Sequence, residues 1–377
     1  MNRTLVALAA ALVLLSAAPT GPGDIPSLVG TRRAVDAADL ASAREAGVLL
    51  RVGAQPRTHP GAARVTWIDG DRLLTYAPGG EAVTWDAATG ERVGAAAPAL
   101  GAGGASGGPA VLDLVPLPGG AFAALGDDGT AGLLDAVTLA LEGRARKLSR
   151  SSGLVASPGR DVVVGTPEPG ADGERVAILD VARGRTRRGP ELPSDLRSLA
   201  VSDGATRFAT VRAASKDDRA PRVTIVDAKG RPVGVDALDA FSTTADSAAR
   251  EAWTVAFSPD GGTLAIGGRG AVTLLDLERG DVWFRARIGD APITFVDASR
   301  TDVVVVGARD GRVALLERGS GEVRVERRLH SSAVRDVALT GDRARAGSVG
   351  EGGDGRLLDR ETGEERLGAG GRRGPGR

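Results

Sequence analysis

The chain has 377 residues, with 48 basic and 48 acidic side chains, no cysteine, two histidines and 55 glycines. The lack of cysteine excludes disulfide scaffolds, thiolate metal sites and cysteine nucleophiles. A formal net charge of zero argues against nucleic acid or an anionic membrane surface as the partner, because both are bound through an excess of basic residues. The composition is that of a globular protein with a sizeable core.

The amino terminus has the pattern of an export signal. Residues 1–18 place Arg3 before a mostly apolar run that ends in small residues. This run is shorter than the ~20 residues that a membrane-spanning helix needs, so it indicates a signal peptide. We therefore expect an exported protein, secreted, periplasmic or on the cell surface, without a membrane span once the signal is removed. Pro19 disfavours cleavage after Ala18, so retention of the signal as an anchor stays open.

Two further segments lie outside the predicted folded domain. Residues 19–47 are predicted to be a linker that contains a short helix at 34–46. Residues 368–377 contain only Gly, Ala, Arg and Pro and are predicted to be a disordered tail. The folded domain is then expected at residues 48–367, as a monomer.

One short pattern recurs seven times in that domain: two or three apolar residues, an acidic residue and a turn. The acids are 49, 45, 47, 49, 41 and 42 residues apart, and they are Asp86, Asp135, Asp180, Asp227, Asp276, Glu317 and Asp359. A period of about 40–45 residues is typical of one four-stranded propeller blade. Alternating apolar positions between turns rich in Gly, Asp, Ser and Pro predict strands throughout. The sequence therefore predicts an all-β fold, a seven-bladed β-propeller of four-stranded blades.

The repeats resemble those of the WD-repeat β-propeller family, in a degenerate form typical of an exported bacterial member. The closest match is FSPDGGTLAIGG (257–268) with VTLLDLERG (272–280), and Trp85–Asp86 is a literal Trp–Asp pair. In that family a His, a Ser or Thr, an Asp and the Trp of a blade are joined by hydrogen bonds. The resemblance implies two partial sets, which are His59, Thr75 and Trp85 in the first unit and His330, Ser348 and Asp354 in the last.

A closed ring has to cover the outer edge of its last blade, because free strand edges pair with other chains. The local candidate strand, 364–367, is short and charged, whereas residues 48–52 read VLLRV. We predict that residues 48–52 close the last blade and so join the two ends of the domain.

Motifs for catalysis or metal binding are weak. Ser106 matches the nucleophile elbow by letters, and residues 350–355 match a dinucleotide fingerprint, but neither lies between a strand and a helix as those motifs require. Two histidines cannot supply a three-histidine zinc site. We predict a protein that is not an enzyme, with no catalytic residue, no metal ligand and no cofactor. A calcium ion held on the propeller axis by several blades stays open.

The long connections favour a binding function. Links at 95–110, 166–174, 213–222 and 235–251 are all predicted on one face, and loops on a rigid scaffold commonly carry function. We predict a non-catalytic scaffold that binds a protein partner of the cell envelope or extracellular space through this face. Its predicted contacts are Asp172, Glu174, Lys216, Asp217, Asp218 and Arg219.

A second candidate surface is an arginine-rich rim on two neighbouring outer strands. Its predicted partner contacts in the third unit are Arg183, Arg185, Arg187 and Arg188, beside further cations at 144, 146, 147 and 150 in the second unit. Such a rim suits an acidic partner, although charged outer strands also prevent edge pairing. The alternative function is a lactonase- or lyase-like propeller enzyme with its site in the central channel. A carbohydrate-binding propeller ranks third and depends on Trp283.

Overall fold

The computed structural model describes residues 64–68, 71–87, 91–100, 108–117, 121–148, 151–167, 175–193, 196–212, 223–233, 252–340 and 345–363. All of them belong to one unit, Ala54–Arg377. The predicted signal peptide, the linker, the closing strand at 48–52 and the Gly/Arg tail lie outside the described residues, as do His59 and Ser106. Within the described part, the regular elements are β-strands apart from one 3-10 turn at Asp203–Ala205, and no helix could span a membrane.

The first three sheets are four-stranded, antiparallel and built in sequence order. Blade I consists of β1 (Arg64–Trp67), β2 (Arg72–Tyr76), β3 (Ala82–Asp86) and β4 (Arg92–Ala96). Blade II consists of β5 (Val111–Leu117), β6 (Ala121–Gly126), β7 (Thr130–Asp135) and β8 (Leu141–Lys147). Blade III consists of β9 (Ser151–Ala156), β10 (Val162–Pro167), β11 (Arg175–Asp180) and β12 (Arg185–Glu191).

Two more four-stranded blades share one long strand, β19 (Asp281–Asp297). Residues 281–292 of β19 pair with β18, and residues 293–297 pair with β20. Blade IV contains the first part of β19 and the strands β16 (Thr254–Phe257), β17 (Thr263–Gly267) and β18 (Arg269–Asp276). Blade V contains the second part of β19 and the strands β20 (Val303–Ala308), β21 (Arg312–Glu317) and β22 (Val323–Arg328).

Two sheets have three strands each. Sheet A, between blades III and IV, consists of β13 (Leu196–Val201), β14 (Arg207–Arg212) and β15 (Val223–Asp227). Sheet B, after blade V, consists of β23 (Val334–Leu339), β24 (Arg345–Gly350) and β25 (Gly355–Asp359).

The prediction of seven four-stranded blades is therefore wrong, because the described residues form five. In sheet A the place of a fourth strand is taken by a single bridge between Val226 and Pro232. The N–H of Val233 donates to the carbonyl oxygen of Ile225 at 2.9 Å, and residues 234–251 lie outside the described part of the chain. In sheet B the chain after Gly363 lies outside the described residues.

The sheets form a ring around their first strands. Neighbouring inner strands contact one another in chain order, and β23 contacts β1, so the first and last sheets meet. An apolar cluster fills each junction between neighbouring sheets. Tyr76 and Phe122 are buried between blades I and II, for example, and Phe208 between blade III and sheet A. The all-β, propeller-like architecture is confirmed.

Each third strand ends at the acidic residue that the repeat pattern predicts. The Asp227 carboxylate, at the end of β15, accepts the backbone N–H groups of Lys229 and Arg231, both at 2.9 Å. The Arg231 side chain and these N–H groups lower the pKa of Asp227 to about 2. The repeated acid therefore stabilises the turn that follows it, which is the usual role of Asp at such positions.

The family resemblance implies hydrogen bonds within two repeat units, and those whose two partners are both among the described residues are present. In sheet B, His330 Nδ1 is 2.7 Å from Asp354 Oδ2, and its Nε2 is 2.8 Å from Ser348 Oγ. In blade I, Trp85 Nε1 donates to Thr75 Oγ1 at 2.8 Å. Residues 351–354 form the turn between β24 and β25, as expected for a strand connection rather than a dinucleotide site.

We expect Gly311→Ala to reduce the free energy of unfolding by about 2–5 kcal/mol, through strain and backbone displacement together. Gly311 has φ +89°, and a Cβ there would lie 1.9 Å from the carbonyl oxygen of His330. The matched control is Gly143→Ala at φ +78°, where a Cβ would meet no atom within 4 Å; its loss should be about 1 kcal/mol. Urea unfolding measures both, and equal losses would contradict the steric account.

Candidate functional site: the central channel and the loop face

The antiparallel strand order gives the ring two different faces. First strands begin and second strands end at one face, which we call the loop face. The short turns between first and second strands lie at the opposite face, which we call the turn face. The long links at 166–174 and 213–222 follow the second strands β10 and β14, and those at 95–110 and 235–251 precede the first strands β5 and β16. The described strand ends that flank these four links therefore lie at the loop face.

The predicted partner contacts fall into two groups. Those on the long links, Asp172, Glu174, Lys216, Asp217, Asp218 and Arg219, lie outside the described residues. The rim residues are described and exposed: Arg183 precedes β12, which contains Arg185, Arg187 and Arg188. As predicted, β8 and β12 are the last strands of neighbouring blades.

Two of the four rim arginines already have partners within the protein. Arg183 pairs with Asp180 at 2.7 Å. Arg187 Nη2 donates to the carbonyl oxygen of Gly204 in sheet A, also at 2.7 Å. These contacts show that part of the rim charge stabilises turns and the junction between neighbouring sheets.

A cavity of about 300 Å³ lies at the centre of the ring and is lined by the inner strands of all five blades and both sheets. The lining includes apolar residues such as Leu74, Leu154 and Val255, and Ser198 and Thr254 add hydroxyl groups. Charged side chains lie towards both ends. The volume is at the lower limit for a small-molecule site.

At the loop-face end, Arg64 on β1 binds Asp113 on β5 through two bonds. Arg64 Nε donates to Oδ1 at 2.8 Å and Nη2 to Oδ2 at 2.7 Å. Asp113 also accepts the backbone N–H groups of Leu114 and Leu154, at 2.9 and 2.8 Å. The carboxylate raises the pKa of the Arg64 guanidinium above its ordinary value. This forked pair is charge-assisted and joins three neighbouring blades.

Asp336 on β23 occupies the equivalent position in sheet B but has no cationic hydrogen-bond partner among the described residues. Its Oδ2 accepts the N–H of Val65 and its Oδ1 that of Val337, both at 3.0 Å. Burial is the main cause that raises its pKa from 3.8 to about 6, and the charge of Arg64 and these two bonds act in the opposite direction. The charge of the Asp336 carboxyl therefore changes just below neutral pH.

The same arrangement recurs at Ser198 on β13. Its hydroxyl accepts the N–H of Val255 on the next inner strand at 3.2 Å. Asp113, Ser198 and Asp336 each follow a register shift near the start of an inner strand. Such bulges re-aim side chains, and here they direct a polar group to the next inner strand.

Arginines dominate the turn-face end. Arg160, in the turn between β9 and β10, and Arg300, between β19 and β20, both line the cavity with Asp297 and Ser299. Asp297 Oδ1 accepts the N–H of Ser299 at 2.7 Å. Desolvation lowers the pKa of Arg160, and the positive charge of Arg300 adds to this effect while Asp297 opposes it.

An aromatic and cationic group lies on the loop face between sheet A and blade IV. The Arg197 guanidinium carbon is 4.0 Å from the centre of the Trp253 ring, and that of Arg309 is 6.0 Å away. Both arginines are exposed and Trp253 is half-buried. The indole N–H is buried and has no acceptor among the described residues. Trp283, on the outer part of blade IV, is 45% exposed, as predicted.

Sequence reasoning missed the channel residues. The available signal was an acidic or hydroxyl residue at the third position of an otherwise apolar first strand, as in VLDLV around Asp113 and VRDVAL around Asp336. Nothing in the linear pattern distinguishes Arg160 and Arg300 from arginines in solvated turns. Within the described residues, no group of three or more His, Cys, Asp or Glu side chains could hold a metal ion.

No protein-family model matches this sequence, and no curated protein matches it. Among solved structures, the chain is similar to Kuenenia stuttgartiensis hydrazine synthase, with a TM-score of 0.56 and 13% sequence identity. The similarity covers 82% of this chain and 98% of the other. At that identity it shows a shared propeller-like fold alone.

We expect Asp336→Asn to change how stability depends on pH. The pKa of Asp336 is higher in the folded protein, about 6, than its ordinary value of 3.8. Its stabilising contribution is therefore fully present below about pH 4 and is lost as the pH rises through about 6. Between about pH 4 and about pH 7, the free energy of unfolding of the parent should therefore fall by on the order of 2 kcal/mol more than that of the variant.

Urea unfolding at both pH values measures this difference. Asp290→Asn is the control, because the Asp290 side chain is 91% exposed and pairs with Arg287 at the surface. If Asp336→Asn and Asp290→Asn have the same pH profile, the raised pKa of Asp336 is contradicted.

Proposed function

We propose that this protein is a non-catalytic exported scaffold that binds a protein partner through its loop face. The observation that carries the proposal is the group of Arg197, Trp253 and Arg309 on that face. Trp and Arg are the residues most enriched at binding hot spots, where a ring and a guanidinium bury a large contact area. Two exposed cations beside the ring suit an acidic segment of the partner.

The position of this group favours the loop face as the binding surface, which is the face predicted from the long links. Trp253 lies two residues after the link at 235–251, and Arg197 is at the start of β13. The inner strands that hold both residues are fixed by the junction cluster that contains Val255 and Phe257. Loops beside a rigid platform are the usual arrangement of a propeller binding surface.

We also propose that the chain is a diverged relative of the WD-repeat propellers. The contacts of His330 with Ser348 and Asp354 support this relationship, and so does the bond from Trp85 to Thr75. The predicted signal peptide supports a partner in the cell envelope or the extracellular space.

The test is a cross-linked pull-down from envelope and culture fractions with the tagged full chain and two double variants. The loop-face variant is Arg197→Glu with Arg309→Glu, and the rim variant is Arg185→Glu with Arg188→Glu. We expect one protein to be retained by the parent and the rim variant, with at least about tenfold weaker retention by the loop-face variant. All four positions are exposed, so neither variant removes a buried contact.

Two further baits sharpen the result. Replacing links 166–174 and 213–222 by short Gly-Ser turns should abolish retention if those links also contact the partner. Trp283→Ala, which removes the exposed tryptophan of blade IV, should leave it unchanged. If only the rim variant fails to retain the partner, the interface lies at Arg185 and Arg188 instead. If the parent retains no protein, the scaffold function is refuted.

A second candidate, an enzyme with its site in the channel, is favoured by one observation, the raised pKa of Asp336 in the cavity wall. Carboxyls with such shifts are candidate general acids or bases. Both oxygens of Asp336 already accept backbone N–H groups, which favours a structural role. A hydrolase and lyase screen that finds activity in the parent and none in Asp336→Asn would favour the enzyme over the scaffold.

A further inference from the structure

Two arginines from distant parts of the ring meet at the turn-face end of the channel. Arg160 belongs to blade III and Arg300 to blade V, with sheet A and blade IV between them along the chain. Both side chains line the same cavity, and the charge of Arg300 acts on Arg160. Two like charges at a cavity wall repel each other, so this arrangement favours an anion between them.

The described acidic residues near this pair do not contact its guanidinium groups directly. Neither guanidinium makes a hydrogen bond or an ion pair with any described residue, in contrast to Arg64 at the other end of the channel. The acids that act on Arg160 are Asp297, beside it, and Asp336 on β23. Both acids act on Arg160 through their charge, and neither forms an ion pair with Arg160 or Arg300 among the described residues.

The backbone holds both turns in place. Arg318 is buried in blade V, and its Nη1 donates to the carbonyl oxygen of Arg300 at 3.2 Å. Its backbone N–H donates to the carbonyl oxygen of Asp302 at 3.0 Å. The N–H of Arg160 donates to the carbonyl oxygen of Ser157 at 2.8 Å. Both arginines therefore project from turns with fixed backbones, which reduces the ordering needed for a ligand to bind.

Arg160 also has a backbone conformation that suits glycine better. Its φ is 59°, whereas Gly261 has φ 66° at the same position of the blade IV turn, and Ala205 has 49° in sheet A. Left-handed φ values are disfavoured for residues with a Cβ. Glycine at position 160 would therefore keep the turn and remove the guanidinium.

We propose that the turn-face end of the channel is an oxyanion site, in which Arg160 and Arg300 together bind a phosphate or sulfate group. Guanidinium groups bind such oxyanions through paired N–H donors. The cavity, at about 300 Å³, is larger than the free ion, and its apolar lining at this end includes Pro116, near the end of β5, and Pro158, in the turn that holds Arg160. These walls suit a phosphate or sulfate ester that carries a small apolar group.

The site is independent of the proposed partner interface, because it lies on the opposite face. The test is calorimetric titration of the full chain with inorganic phosphate and with phenyl phosphate, at constant ionic strength maintained with sodium chloride. We expect saturable binding to the parent, and at least about tenfold weaker binding to Arg160→Gly and to Arg300→Gln, since each variant loses a charge-assisted interaction. Tighter binding of phenyl phosphate would identify an ester as the ligand, and equal binding would identify the free ion.

The controls separate loss of the site from loss of the fold. Arg160→Gly should unfold at the same temperature as the parent or higher, because it relieves the left-handed strain. Arg146→Gln, on the outer strand of blade II and exposed, removes the same net charge and should bind phosphate like the parent. The proposal is overturned if the parent does not bind either anion saturably, or if Arg146→Gln weakens binding as much as the channel variants.

Discussion

The ring depends on bonds between inner strands that belong to different sheets. Neighbouring inner strands do not pair through their backbones, so side chains have to join them. Asp113, Ser198 and Asp336 do so, each by accepting a backbone N–H from the next inner strand. The bond from Val65 to Asp336 links residues 271 positions apart and connects the last sheet to the first. Buried N–H groups without such acceptors would destabilise the fold.

The two ends of the channel differ because of how their charges are partnered. At the loop face, Arg64 and Asp113 neutralise each other and hold three blades together. At the turn face, Arg160 and Arg300 are held by backbone contacts while their guanidinium groups line the cavity. The loop face adds Trp253 with Arg197 and Arg309 on its outer surface. The two proposals therefore concern different parts of the ring, a broad surface at the loop face and a narrow cavity at the turn face.

The sequence predicted local structure well, because the repeated acid is a local signal: it accepts N–H groups only two to four residues ahead, as Asp227 does. It predicted the number of four-stranded blades less well, since the acid marks only the end of each third strand and says nothing of the fourth, and the described residues of sheets A and B form three strands each. The contacts of His330 were predictable from the family resemblance. Channel residues such as Arg160 and Arg300 were not, because they are 140 positions apart in the sequence and only ring closure brings them to one cavity.

Ring closure through Asp336 also determines when the protein can finish folding. The N–H of Val65 is near the start of the domain and its acceptor is in the last sheet, so the junction cannot form until almost the whole chain is available. Contacts between residues so far apart require a large loss of chain entropy before they are made, which slows folding. Until then, the apolar faces of blade I and sheet B that pack together in the ring, including Leu73 and Val349, stay exposed to solvent. The last sheet to be synthesised is therefore the one that completes the native state.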